Sequence, residues 1–328
     1  MKAFMHADGQ MRLGELEDPR PGSGEVVVAL KAAGLNRRDL KIPARRGNES
    51  QPLVLGSDGA GVIESVGSHV TEWSIGDEVI INPSLRWFQK SIAPPEEFDI
   101  LGMPDNGTFA EKIVISSEQL EKKPARLSWE ESAVVALSVL TGYRALFTQG
   151  ELQAGQTVFI PGAGSGVATF MIQLAKSAGA NVIVSSRSDS KRESARKIGA
   201  DRAIDTNCDW AAELEDVTVD LVVESVGRAT FNRSLEILKK GGRIVVFGAT
   251  TEDTVDFDLR SFFYGQYQLF GTTMGSREEL RAALAFLERH DIRPIVDRSF
   301  HLGEAKEAFE RLEHNEQFGK IVLNIEQS

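Results

Sequence analysis

The residues that first invite a chemical reading are the glycines of Ile160-Pro-Gly-Ala-Gly-Ser-Gly-Val-Ala168, set between the apolar run "TVFIP" and the helix-patterned "VATFMIQLAKSAG". Glycines at such a junction let the backbone turn sharply and approach a ligand closely. The free N–H groups and positive dipole end of the helix then favour an anionic one. Neither register gives a complete G-x-G-x-x-G, because the sixth place is Val167 counted from Gly162 and Thr169 counted from Gly164. Aligned on "GVA", the motif reads Ala163-Gly164-Ser165-Gly166-Val167-Ala168, with Ala168 where a small residue lets the helix lie against a sheet. A second apolar run, "NVIVSS", follows about twenty residues on, which is the setting a dinucleotide pyrophosphate requires. An acid at the end of that second run would bind ribose hydroxyls. Ser185, Ser186 and Arg187 stand there instead, with Lys191 one helical turn further. These donors and positive charges suit a 2′-phosphate, so NADPH is expected, although Asp189 nearby keeps NADH open.

The elements that must position this turn can be read from periodicity. From Thr157 onward, apolar runs alternate with helical patterns: "TVFIP", "NVIVSS", "RAID", "DLVVES" and "RIVVFG" are separated by "VATFMIQLAKSAG", "SKRESARKIG", "DWAAELED" and "ATFNRSLEILKKG". That alternation predicts a parallel, doubly wound sheet, with "QYQLFG" as its edge strand. Residues in the loops at the C-terminal strand ends line the ligand crevice of such a sheet, which nominates Ser225, Gly248, Ala249, Thr250, Thr272 and Met274, or else simple turn chemistry. Residues 1–120 read as many short strands divided by turn signals, which suggests a partly closed barrel. Between them, "SWEESAVVALSVLTGYRALFTQG" has a helical period, with Ser128 and Glu131 spaced as a capping box. The irregular stretch Pro83–Gly107, carrying Trp87, Phe88 and Phe98, is long enough to expect a role at a pocket or as a surface cover. After Thr273 come two helical patterns, "SREELRAALAFLERH" and "GEAKEAFERLEH", and a closing strand, "GKIVLNI".

Composition narrows the classes. A chain of 328 residues is long enough for two cores. A net charge of −11 argues against a general nucleic-acid or membrane-surface binder. The single cysteine, Cys208, excludes an internal disulfide and any multi-cysteine zinc module. His6, His69, His290, His301 and His314 contain no close pair at ligand spacing. The N-terminus shows no secretory pattern and no run approaches the length of a membrane helix, so a cytoplasmic location is expected.

Four stretches, "PLVLGSDGAGVIESVG", "LTGYRAL", "GAGSGVATFMIQLAKSAGANVI" and the terminal "FGKIVL", give the chain its resemblance to the medium-chain dehydrogenase/reductase superfamily, in the correct order and over almost its whole length. The resemblance implies an α/β fold: a GroES-like, partly open β-barrel catalytic domain, here 1–122 plus 273–328, into which a Rossmann doubly wound parallel sheet, here 123–272, is inserted, with the active site in the cleft. It also implies a small-molecule substrate and a homodimer formed through the last Rossmann strand, here Gln266–Gly271.

The resemblance also locates the positions on which the superfamily divides. Where its zinc alcohol dehydrogenases carry a Cys after "A-G", this chain has Asn36. Where they have Gly-His-Glu, it has Gly56-Ser57-Asp58; where they have a further Cys before the "T-x-Y-R-A-L" element, it has Leu137. The long loop lacks the cysteines of a structural zinc site. No metal site is expected, and the chain is similar to the zinc-free quinone oxidoreductase-like branch. That branch implies hydride transfer from NADPH to a quinone or an α,β-unsaturated carbonyl, whose charge develops on an oxygen that hydrogen bonds can neutralise. A zinc-free alcohol or aldehyde reductase and a non-catalytic NADPH-binding protein stand as alternatives. Asn36 is the candidate catalytic residue, through an amide N–H, or else a turn residue. Arg37 falls near the pyrophosphate by family position, Arg38 takes the place of a proton-relay hydroxyl, Thr141 falls on the nicotinamide side, and Lys320 matches a position facing the cofactor. Lys41 and Tyr143 are weaker proton-donor candidates.

Overall fold

Short apolar runs closed by turn residues give the N-terminal part of the chain its short strands. They are β1 (Lys2–Ala7), β2 (Gln10–Glu15), β3 (Glu25–Gly34), β4 (Leu53–Val54), β5 (Asp58–Val66), β6 (Glu78–Ile81), β7 (Ser84–Leu85), β8 (Asp99–Ile100), β9 (Lys112–Ser116) and β10 (Leu120–Lys122). β1 and β2 form a hairpin whose two-residue loop is Asp8-Gly9, with φ of 52° and 73°, the pair of positive values a primed turn demands.

In the middle of the chain, β11 (Thr157–Pro161), β12 (Asn181–Ser186), β13 (Arg202–Asp205), β14 (Val219–Glu224), β15 (Leu238–Val246) and β16 (Gln268–Gly271) pair in parallel in the order β13-β12-β11-β14-β15-β16. This is the strand order of the dinucleotide-binding doubly wound sheet, with its switch point between β11 and β14. Every residue of β11 is buried, as expected of a central strand covered on both faces. Two C-terminal strands, β17 (Val296–His301) and β18 (Lys320–Asn324), return to the first group: β18 pairs with β3, and β3 also pairs with β5 and β9.

The computed structural model describes residues 1–326. Its contacts divide into one unit comprising Met1–Ser138, Ser276–Glu288 and the segment from Arg293, and a second comprising Val139–Gly275 with Arg289–Ile292. The first unit is the GroES-like barrel, with Phe309 packed against Phe4 and Phe109 in its core. The second is the Rossmann sheet. Residues 123–138 fall with the barrel because Ala133 and Val134 pack among Ala32, Ala60 and Val322.

Local structure departs from periodicity in two places. The helical pattern from Ser128 divides into Trp129–Ser132, where Ser128 and Glu131 form the expected capping box, then Ala136–Tyr143, and a wider-wound turn over Arg144–Gln149. The first break brings the Ala133 carbonyl against β3, where a Cβ on Gly34 would lie 2.7 Å from its oxygen. The edge strand begins at Gln268, not Gln266, because a helix at Leu259–Gly265 ends on Gln266 in the left-handed conformation. In the loop Pro83–Gly107, Trp87 is buried with Phe98 edge-on to it, and the Trp87 and Phe88 carbonyls accept the Arg277 and Glu278 N–H groups. The loop thus caps the helix Arg277–Arg289 at its first two N–H groups, while Ser276 Oγ accepts the Glu279 N–H at 3.2 Å.

His6 on β1 is 1% exposed, and neither ring nitrogen has a hydrogen-bond partner among the described residues. Burial, followed by the nearby Arg46 charge, lowers its pKa. The unfolded chain therefore binds this proton more readily, and its contribution to stability is lost as pH falls below about 6.5. Denaturant titrations of His6→Leu at a series of pH values should show a shallower loss of stability on acidification, by up to about 1.4 kcal/mol per pH unit.

Candidate functional site

In the barrel unit, strand register assembles a cluster of polar side chains. β3 ends at Gly34, which pairs with Asp58 at the start of β5 on one side and with Val322 of β18 on the other. Continuing that antiparallel register by two residues sets Lys320 opposite Asn36. The side chains meet accordingly: Lys320 Nζ donates to Asn36 Oδ1 at 2.6 Å and to Asp58 Oδ2 at 3.2 Å, while Asn36 Nδ2 donates to Asp58 Oδ2 at 3.0 Å. The other Asp58 oxygen accepts the Leu137 N–H at 2.8 Å, in the first turn of the helix Ala136–Tyr143. Asp58 is 0% exposed and Lys320 3% exposed, so neither charge is compensated by water.

The cluster extends through the short turn after Asn36. Arg38 Nη1 donates to Ser57 Oγ at 2.6 Å and to the Leu101 carbonyl at 2.7 Å, tying the long loop to this centre. Asp39 is buried, with one oxygen accepting the Asn36 N–H at 2.8 Å and the other without a partner among the described residues. Burial pushes its carboxyl up to about 6, against the opposing pull of Arg38.

The resemblance places a zinc ion at this centre in the alcohol dehydrogenases, and the residues here do not fit one. Leu137 offers no donor atom. The oxygens of Asn36 and Asp58 face an ammonium, and Ser57 faces a guanidinium. Thiolate and imidazole, which this borderline-soft ion prefers, are missing from all three ligand positions.

Several expectations change on this geometry. Both amide hydrogens of Asn36 are engaged, one by Asp58 and the other by the Gly34 carbonyl at 3.4 Å, so none is left for a substrate. The Asn36 amide ties the end of β3 to Asp58 at the start of β5. Lys320 turns to Asn36 and Asp58 within the barrel unit. Arg37 reaches the Leu312 carbonyl and the Asn315 side chain at the end of the helix Ala305–Glu313.

In the Rossmann unit, the glycine turn follows β11 as expected. Gly162 has a φ of 80°, and the Gly162 and Ala163 N–H groups both bond the Ser185 carbonyl, which fixes the turn to β12. Ser165 caps the helix Gly166–Ser177 by accepting the Ala168 N–H at 3.1 Å, and the Gly166 and Val167 N–H groups start that helix with no intrahelical acceptor. A Cβ on Gly164 would lie 2.7 Å from Lys191 Cδ, so the bare backbone leaves room for the lysine stem over the turn. Ser186 is buried and accepts the Ser188 N–H at 3.2 Å, while Arg187 is exposed. Arg192, which the motif reading passed over, bonds both the Ser186 carbonyl and the Asp189 carboxylate. Asp189 is therefore paired, and Asp205, opposite Ser186 in the β12–β13 register, lies 3.8 Å from the same guanidinium. A phosphorylated nucleotide fits these residues.

The remaining wall candidates gather at the C-terminal ends of β14, β15 and β16. The Thr250 N–H bonds the Ser225 carbonyl at 3.2 Å, and a Cβ on Gly248 would lie 3.6 Å from that oxygen. Ala249 stands beside Gly227 on the same side. Thr141 Oγ1 lies 3.8 Å from the Met274 sulfur, and the buried Thr272 hydroxyl has no partner among the described residues. Glu224 was not anticipated. It is fully buried at the end of β14 and accepts from the Val226 and Gly227 N–H groups and the Thr230 and Ser234 hydroxyls. Its signal in the sequence was an acid closing the apolar run Leu221–Val223.

Two family models match the chain: an alcohol dehydrogenase GroES-like domain over residues 22–125 and a zinc-binding dehydrogenase over residues 166–289. A zinc-type alcohol dehydrogenase-like protein of Schizosaccharomyces pombe is 35% identical, covering 97% of this chain and 96% of its own length. An acryloyl-coenzyme A reductase of Metallosphaera sedula is 30% identical over 94% and 95%. A solved structure described as an NAD-dependent alcohol dehydrogenase superposes with a TM-score of 0.90 at 33% identity, covering 99% of this chain and all of its own. With a GroES-like barrel, a Rossmann sheet in the dinucleotide strand order and these relatives, the chain belongs to the medium-chain dehydrogenase/reductase superfamily of oxidoreductases.

Proposed function

We propose that this protein is an NADPH-dependent reductase that delivers hydride, without zinc, to a carbon–carbon double bond conjugated with a carbonyl. The observation that carries this reading is the Lys320 ammonium set among Asn36, Asp58 and Leu137, where a zinc alcohol dehydrogenase would hold its metal. Oxidising an alcohol calls for a Lewis acid to stabilise the alkoxide, and this donor set is built for an ammonium. Reducing a conjugated double bond puts negative charge on a carbonyl oxygen, which hydrogen-bond donors neutralise. The likeness to an acryloyl-coenzyme A reductase favours a thioester-activated double bond over a quinone.

The nucleotide, when bound, supplies the hydride. The chain's own part is to hold it: with the Ala163 N–H held by Ser185, the turn offers the Gly164, Gly166 and Val167 N–H groups to the pyrophosphate, and Ser186, Arg187 and Lys191 receive the 2′-phosphate. Arg192 offsets Asp189 and Asp205, the acids that would otherwise repel that phosphate. Ser225, Gly248–Thr250, Thr141, Thr272 and Met274 form the nucleotide wall. The protein is further proposed to be a homodimer through the free edge of β16. Leu269 on that strand and Leu259, Phe263 and Tyr264 on the preceding helix are exposed apolar side chains, which suit a partner copy.

NADPH oxidation followed by absorbance with an enoyl thioester, a simple enone, a quinone and a saturated aldehyde tests the reaction. The enone or enoyl thioester should exceed the aldehyde in kcat/KM by roughly tenfold or more. Turnover of the aldehyde alone would replace this reading with that of an aldehyde reductase. Tight NADPH binding with no turnover at all would point to a non-catalytic role. In fluorescence titrations, the double variant Arg187→Ala/Lys191→Ala should bind NADPH about tenfold or more weakly while NADH affinity stays within about twofold. Leu269→Asp should shift the mass measured by light scattering from dimer to monomer.

A further inference from the structure

We propose that Arg192 sets the preference of the nucleotide corner for a 2′-phosphate. It is a positioning residue: its guanidinium fixes the end of β12 and holds the Asp189 and Asp205 carboxylates, so that neither acid is free to take the ribose hydroxyls of NADH. This rests on the NADPH reading above and deepens it, since it names what keeps two acids from reversing that preference.

The corner contains the acids that an NADH site would use. Asp205 ends β13 directly opposite Ser186 at the end of β12, and Asp189 opens the helix Asp189–Lys197. A carboxylate at such a strand end accepts from a ribose 2′-hydroxyl and repels a 2′-phosphate. One guanidinium reaches both acids: Arg192 Nη2 bonds Asp189, and Nη1 lies 3.8 Å from Asp205. These two contacts alone would be weak, because the Asp189 and Asp205 side chains are 88% and 42% exposed. The firm anchor is the Ser186 carbonyl, which accepts from Nη1 at 2.6 Å, and the Arg192 side chain is only 14% exposed. That carbonyl also accepts the Thr206 N–H at 3.3 Å, so the guanidinium sits where β12 meets the loop after β13.

Direction matters as much as charge. Lys191 and Arg192 are neighbours on one helix, yet the Lys191 stem lies over Gly164 while Arg192 turns back to the strand ends. Arg187, by contrast, is exposed, and its charge is screened by water and salt. A fixed, mostly buried charge is screened less. Removing Arg192 would leave Asp189 and Asp205 without this counter-charge at the place where the 2′ group is read.

Fluorescence titrations with NADPH and with NADH decide the matter on wild type, Arg192→Met, Arg192→Lys and Arg192→Met/Asp189→Asn/Asp205→Asn. Methionine keeps an apolar stem and removes the charge. The ratio of dissociation constants, NADPH over NADH, should rise roughly tenfold or more in Arg192→Met, with NADH binding unchanged or tighter. In the triple variant it should return to within about threefold of wild type, because the acids that Arg192 held are then neutral. Arg192→Lys, which keeps the charge and loses the planar fork, should fall between. An unchanged ratio in Arg192→Met would overturn the proposal. So would an equal loss of both affinities, which marks a structural role alone. A triple variant as impaired as Arg192→Met would make Arg192 a direct phosphate ligand, with the same result. The wild-type ratio tests the NADPH reading separately: a wild type that preferred NADH would end that reading, and the change of ratio from wild type to Arg192→Met would still decide the role of Arg192.

Discussion

A carboxylate removed from water must be met by donors or by opposite charge, and Asp58 sets that demand at the centre of the barrel unit. It starts β5 with 0% exposure, and three groups answer it: the Lys320 ammonium, the Asn36 amide and the Leu137 N–H. Each comes from a different part of the chain. Lys320 requires the C-terminal strand to lie beside β3, and Leu137 requires the helix Ala136–Tyr143 to begin where it does. The break after Ser132 in the helical pattern thereby has a consequence beyond packing, since it places a helix N-terminus, with its partial positive charge, at the carboxylate.

The Rossmann unit contains the same problem with a different solution. Glu224 is as deeply buried as Asp58, yet its partners are backbone N–H groups and hydroxyls, with no counter-ion among its hydrogen-bond donors. Neutral donors from residues 226, 227, 230 and 234 draw the loop after β14 around the carboxylate and so fix the path that begins at Ser225. The contrast is informative. A carboxylate satisfied by neutral donors organises a loop, whereas one satisfied by an ammonium also keeps a full positive charge in place. Asp39 is a third case, with one oxygen unpaired, and its carboxyl pKa rises to about 6 as burial alone would direct.

Much of the glycine-turn corner was legible because its signals are local. The turn Ala163–Val167, its capping Ser165 and the Ser186-Arg187 end of β12 depend on residues close in sequence, and they lie where spacing puts them. Arg192 was missed because its role depends on the first turn of the helix Asp189–Lys197 folding its side chain back onto Ser186 and Asp189. The helix Leu259–Gly265 was missed because its apolar residues are partly exposed and have no regular alternation with a core. The long loop could be recognised by length, but its use as a cap for the helix Arg277–Arg289 joins segments almost two hundred residues apart.

By itself the sequence determined the doubly wound sheet, the strand-rich barrel and the glycine turn, since each is a matter of residue type and near spacing, and it gave the residue types, Asn36, Ser57 and Leu137, at the positions the resemblance assigns to zinc ligands. The tertiary structure alone decided which atoms face one another in the barrel. Asn36 and Lys320 are 284 positions apart, and only the pairing of β18 with β3 brings them to 2.6 Å. That contact reassigned the Asn36 amide hydrogens and turned Lys320 toward Asp58. Hydrogen bonds and buried charge act at a few ångströms, and no pattern along the chain specifies distances of that kind between remote strands.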